Sequence, residues 1–352
     1  MAAQNGLTYF HMPMAMKIIL CGVIALWLTL FAGIGINTCH AESDNANTPP
    51  LRFVSDHPLP GRPTRWDYMS LDARRSLMFI AHLGDNAVVV VSTKTKAVVA
   101  TIEDIGGVHG TLVIPELNFV YASATKTNEV VAIDANTLKI TARIPAGTYP
   151  DGMAYAPDVH KLYISDEHGN TETVVDVRSN KRVATIQLGG NVGNTQYDPA
   201  SRHIFVNIQG TGELVEINPK TDTIVQRMTL ADADGNHGLL IESALRLAFI
   251  ACEGNDKLLV VNLNTKKIIA HFDLGEDPDV LAYDGGLGLL YVASESGMLS
   301  RFKVSADRII KINDMFIGPN AHTLAVDPSN HEVYFSLNKD EQPVLRVLRP
   351  SP

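Results

Sequence analysis

The chain has 352 residues, 45% of them hydrophobic and 19% charged, with a formal charge of −9. Lys17 is the only charged side chain in residues 1–41, so removing that segment leaves −10. An acidic body without any Lys/Arg run excludes a phosphate backbone as the expected partner, because such binding rests on massed cations.

In chain order, the first signal is Lys17 followed by residues 18–36, which are apolar except for Thr29, and then by Asn37-Thr38-Cys39-His40-Ala41. A basic residue, an apolar stretch and a small residue at the cut describe a secretory signal. Cleavage is expected after Ala41, with Met16 as an alternative start, a short linker over 42–50 and a periplasmic or secreted mature chain without a membrane span. An uncleaved anchor is the alternative, since the apolar stretch is long enough to span a bilayer. Beyond the cut only Cys252 remains, which suits a small buried hydrophobe and allows no internal disulfide.

From residue 51 the sequence repeats at about 42 residues. Short polar positions recur at Asp67, His109, Asp151, Gly193, His237, Asp279 and His322, in steps of 42, 42, 42, 44, 42 and 43. In the third copy the position opens Pro150-Asp151-Gly152-Met153-Ala154-Tyr155, followed by strand-like Lys161-Leu162-Tyr163-Ile164-Ser165, Thr173-Val174-Val175-Asp176-Val177 and Arg182-Val183-Ala184-Thr185-Ile186. Four short strands per repeat and seven repeats predict an all-β, seven-bladed propeller over residues 51–350, expected to be a monomer. One aromatic per copy, from Phe79 and Tyr121 to Tyr334, is expected to wedge between blades. Asp134-Ala135-Asn136-Thr137 and Asn262-Leu263-Asn264-Thr265 read as tight turns joining third strands to fourth. The seventh copy supplies three strands, so Leu51-Arg52-Phe53-Val54-Ser55 is expected to return as its fourth and close the ring.

The unit resembles the YVTN-repeat, YncE-like propellers, with Pro150-Asp151-Gly152, Tyr163-Ile164-Ser165-Asp166, Val130-Val131-Ala132-Ile133-Asp134 and Ala184-Thr185-Ile186-Gln187-Leu188-Gly189 at the family's motif positions. The resemblance covers Leu51 to Leu348 and implies the fold and an exported location, but no particular activity. The Asn that ends the family's Tyr-Val-x-Asn is replaced here by His82, Ala124, Asp166, Ile208, Cys252, Ser294 and Leu337.

Innermost strands begin at the face where second strands end, so two rings of side chains are expected at one mouth of the channel. In blade order the inner ring places His109, His237 and His322 in blades two, five and seven, and Asp67, Asp151 and Asp279 in one, three and six. Each trio is spread nearly evenly. Three imidazoles converging on one axial point suit a divalent transition metal, with the three Asp as candidate proton acceptors. The alternative is an Asp/His charge network without metal. Trp66, His82, Glu167, Glu253 and Glu295 are candidate ligand-binding residues of the same rim, and the loop around His168 is expected to lean over it. His160, His203 and His331 fall in turns of the opposite face and are expected to be solvated. A phosphate loop, a serine elbow and a CxxCH motif are all missing from the sequence, so no nucleotide, serine-hydrolase or haem function is indicated. Two function classes stand: a binding protein for a small ligand or an envelope partner, and a metal-dependent hydrolase or lyase of lactonase type. A structural adaptor is a third.

Overall fold

The computed structural model describes residues 50–351, so the readings made for residues 1–49 lie outside the described residues. Seven four-stranded antiparallel sheets follow one another in chain order, six of them built from consecutive strands. The first begins with β2 (Met69–Asp72), β3 (Leu77–His82) and β4 (Ala87–Ser92). In the seventh sheet, β26 (Leu324–Asp327), β27 (Glu332–Lys339) and β28 (Gln342–Pro350) are joined by β1 (Leu51–Pro58). The register runs from Leu51 opposite Pro350 to Pro58 opposite Val344, with a bulge after Phe53. The ring is thus closed by both ends of the described chain, as the repeat count requires.

Burial follows from position in the blade. Second and third strands are covered on both faces and carry unbroken apolar runs, such as Met78–Ala81 and Val88–Val91. Outer strands sit where blades splay apart, and β9 (Lys139–Pro145) alternates exposed residues with half-buried or buried ones accordingly. The repeated aromatics Phe79, Tyr121, Tyr163, Phe205, Phe249, Tyr291 and Tyr334 are completely buried. Two of their tyrosine hydroxyls clasp the next blade: Tyr121 donates to Asn180 Oδ1 at 2.8 Å, and Tyr163 to Asp222 Oδ1 at 2.5 Å. The expected turns are stabilised by their first residue, since Asp134 Oδ1 accepts from the Asn136 and Thr137 amides, and Asn262 Oδ1 from those of Asn264 and Thr265. Among the described residues no helix is long and apolar enough to cross a membrane.

One local feature positions the site. In five inner strands the ladder breaks around the repeated polar residue, between Val108 and Thr111, Pro150 and Met153, Val192 and Thr195, Asn236 and Leu239, and Pro278 and Leu281. A bulge twists the strand and re-aims its side chain, here toward the channel mouth.

Candidate functional site

The mouth holds a cavity of about 330 Å³ lined by Asp67, Asp151, Asp279, His109 and His237 of the inner ring and by Glu167, Glu253 and Glu295 of the second ring. Arg65, Tyr68, Tyr149 and Asp277 complete it. Seven carboxylates face one guanidinium.

His109 and His322 are set by the same device. Two residues before each imidazole the backbone turns left-handed, at Gly107 (φ 61°) and Asn320 (φ 56°). The carbonyls of those residues accept from His109 Nδ1 and His322 Nδ1, each at 3.0 Å. This fixes the tautomer and leaves Nε2 as a lone pair facing inward. His109 Nε2 receives the Tyr149 hydroxyl at 3.2 Å. His322 Nε2 is buried with no hydrogen-bond partner, 3.9 Å from Asp279 Oδ2. Asp151 Oδ1 is likewise buried and unpartnered.

Sequence reasoning missed Tyr68, which takes the channel axis. Where blades two, three and five carry Gly110, Gly152 and Gly238, blade one carries Tyr68. The glycines are required by crowding: a Cβ on Gly238 would lie 2.2 Å from the Asp279 carbonyl oxygen, and one on Gly152 2.4 Å from Asn194 Oδ1. The Tyr68 ring spans from blade one to the far side. Its hydroxyl accepts from Asn194 Nδ2 at 2.7 Å, donates to Asp279 Oδ1 at 3.1 Å and lies 3.2 Å from His237 Nε2. Beneath it lies a second cavity of about 250 Å³, lined by apolar inner-strand residues such as Met69, Met153 and Leu281 together with polar Ser70, Thr195 and Gln196.

Tyr68 explains why the three imidazoles do not gather at one axial point. Among the described residues, ligand atoms approach within 4.8 Å of one another in two mixed groups: His237 with Glu253 and Asp279, and His322 with Asp279 and Glu295. His109 belongs to neither and pairs instead with Tyr149, with Asp67 Oδ2 at 4.0 Å.

The carboxylates shape the electrostatics. Burial opposes the charge on His237, but Glu253, Asp279, Asp151 and Glu167 outweigh it and push the imidazole up to about 9. Burial, reinforced by Asp279 and Asp151, raises Asp67 well above the usual carboxylate range. Glu253 is pushed up to about 7, by burial above all and against the pull of His237. Arg65 crosses the mouth, with Nη2 2.6 Å from Glu295 Oε1 and Nε 3.6 Å from Asp67 Oδ2.

Other rim candidates are placed elsewhere. Trp66 is buried, stacks on His82 at 3.7 Å between ring centroids and donates from Nε1 to Asn338 Oδ1 at 3.3 Å. His82, held down by burial, lies beside a separate cavity with Arg62 and Asp85. Neither lines the channel mouth. His168 packs against Tyr149 with ring centroids 4.2 Å apart and planes tilted by 34°, and is not among the residues lining the cavity. His203 and His331 are at the opposite-face turns as expected, but each is paired rather than solvated: His203 Nδ1 with Glu216 Oε1 and His331 Nδ1 with Asp284 Oδ2, both at 2.7 Å. His160 Nδ1 lies 3.4 Å from the Tyr155 hydroxyl. Strand carboxylates, Glu216 in the same blade as His203 and Asp284 in the blade before His331, supply the partners of those two, which a one-repeat reading does not reveal.

No protein-family model matches the chain, and neither does any curated protein. Solved structures match over most of the length at low identity. Hydrazine synthase of Kuenenia stuttgartiensis is similar at 14% identity and a TM-score of 0.71, covering 90% of this chain and 99% of its own. A chain of the mitotic checkpoint complex gives 13% and 0.72, covering 92% and 99%. Virginiamycin B lyase from Staphylococcus aureus gives 11% and 0.72, covering 86% and 100%. Identities this low establish the seven-bladed propeller, which hosts unrelated functions.

Proposed function

We propose that this is an exported propeller of the YVTN-repeat type whose channel mouth binds a divalent transition cation, alone or carried by a small ligand, without turnover. The observation that carries this reading is His322 Nε2, an imidazole lone pair with no partner in a buried position and within reach of Asp279 and Glu295. A buried polar atom without a partner costs about 1–3 kcal/mol, and a cation removes that cost. The donor set of imidazole nitrogen and carboxylate oxygens suits zinc, manganese or iron. Export rests on the N-terminal segment, and a monomer rests on the closed ring.

The test is zinc binding by the full-length chain, expressed with its own N-terminal segment, purified without a histidine tag and stripped by chelator. Binding that falls at least tenfold in His322→Gln supports the reading; absence of zinc binding to the wild type refutes it.

A second reading keeps the cation but adds hydrolase or lyase chemistry. It is favoured by Glu253, pushed to about 7 and so able to exchange a proton near neutral pH, and by the similarity in fold to virginiamycin B lyase. In that reading a bound cation would supply Lewis acidity, Asp151 or Asp279 would hold the proton released from water, and Asp67, whose carboxyl burial raises well above the usual range, would carry a proton instead of accepting one. Zinc-dependent cleavage of lactones by the wild type, lost in Glu253→Gln with zinc still bound, selects this reading over simple binding.

A further inference from the structure

The two groups of ligand atoms at the mouth share one residue, and they share it through different oxygens. Asp279 Oδ1 lies 3.8 Å from His237 Nε2, while Oδ2 lies 3.9 Å from His322 Nε2. Both separations are too long for hydrogen bonds. They are close to the spacing of neighbouring ligand atoms around one ion, roughly 3.3–3.6 Å for bonds of about 2.0–2.2 Å in tetrahedral geometry. Each group also contains its own glutamate, with the ligand atoms of the group within 4.8 Å of one another: Glu253 with His237 and Glu295 with His322.

The repeat produces this arrangement. His237 and His322 belong to the blades on either side of the blade that carries Asp279, and Glu253 and Glu295 each directly follow a second strand, β19 (Leu247–Cys252) and β23 (Leu289–Ser294). Arg65 holds Glu295 Oε1 at 2.6 Å, leaving Oε2 to face His322.

We infer that the channel mouth takes two divalent transition cations bridged by Asp279, one held by His322, Asp279 and Glu295 and the other by His237, Asp279 and Glu253. This rests on the cation reading above and adds to it a second ion and a bridge. The two positions are unequal. On the His237 side the Tyr68 hydroxyl already contacts both His237 Nε2 and Asp279 Oδ1, so an ion entering there must displace it or recruit it as a ligand. On the His322 side Nε2 meets no such group. The His322 position therefore fills first.

The experiment is calorimetric titration of the chelator-stripped full-length chain with zinc chloride, with elemental analysis of the product. Two zinc ions per chain in two resolved steps are expected. His237→Gln should retain one ion at the tighter affinity, His322→Gln should lose the tighter step, and Asp279→Asn should weaken both steps at least tenfold. One ion per chain, unchanged by His237→Gln, overturns the pair while leaving the single-cation reading intact. No zinc at all overturns both. A second measurement needs no variant: at two equivalents of manganese the wild type should give an exchange-broadened paramagnetic resonance spectrum, and the sharp six-line signal of isolated ions at that loading overturns the bridge.

Discussion

Tyr68→Phe tests how the channel is held together. The substitution keeps the ring that fills the axis and removes only the hydroxyl that ties blade one to blades four, five and six. Two effects combine. A hydrogen bond to a charged acceptor, here Asp279 Oδ1 at 3.1 Å, contributes about 1.5–3 kcal/mol, and stranding the Asn194 amide that donates to Tyr68 at 2.7 Å costs about 1–3 kcal/mol. Because the two share one atom they overlap, and a net loss of about 2–4 kcal/mol is expected. At about 2 °C per kcal/mol for a domain of this size, the melting midpoint should fall by about 4–8 °C. Thermal and guanidinium unfolding followed by circular dichroism read the change directly. Tyr155→Phe is the control: its hydroxyl reaches only His160 at an exposed turn, so a change within about 0.5 kcal/mol is expected. If Tyr68→Phe is as mild as that control, the hydroxyl does not act as the tie across the ring.

Three further outcomes follow from buried groups away from the mouth. Glu172 is fully buried between blades three and four, and burial first, then Asp166, raises its carboxyl well above 4.5, with the Thr195 and Ser165 hydroxyls offsetting only part. A raised carboxyl binds its proton more tightly in the folded chain, so its contribution is full below the unfolded value and is lost as pH rises through the interval above it, at roughly 1.4 kcal/mol per pH unit. Glu172→Gln should therefore be more stable than wild type at pH 8 and flatten the decline above pH 4.5 in denaturant midpoints; equal slopes contradict the assignment. Tyr291 and Tyr163 occupy equivalent wedges, but the Tyr291 hydroxyl is buried without a hydrogen-bond partner while that of Tyr163 meets Asp222. Tyr291→Phe should be neutral or stabilising in chemical denaturation, and Tyr163→Phe should lose about 1–3 kcal/mol. The Cys252 thiol, buried and pushed up to about 12, should resist iodoacetamide in the native protein and react only on unfolding, as mapped by peptide mass.

The ring was legible because its cause is periodic. The Phe79-to-Tyr334 series, the Asx turns and the three-strand seventh repeat all follow from one unit that cannot bury its faces alone, so alignment of the copies recovers them. The site was legible only as far as it repeats. Asp67, Asp151, Asp279, His109 and His237 line one cavity because each stands at the same place in its blade, and Glu167, Glu253 and Glu295 because each follows a second strand. What escaped is what breaks the repeat. Tyr68 replaces a residue that is glycine in three other copies, and that irregularity was its available signal. Tyr149 and Asp277 hold left-handed backbone just ahead of Pro150 and Pro278, a conformation that sequence spacing does not encode. Trp66 and His82 are expected at the rim by count, but they stack on one another and do not line the mouth cavity.

The most direct test of the central claim is the zinc affinity of the wild type beside His322→Gln at pH 7.5, with unfolding measured on both to confirm that each is native. Stoichiometric binding by the wild type and at least a tenfold loss in the variant are expected. Equal affinities in two folded proteins, or no affinity in either, would contradict it.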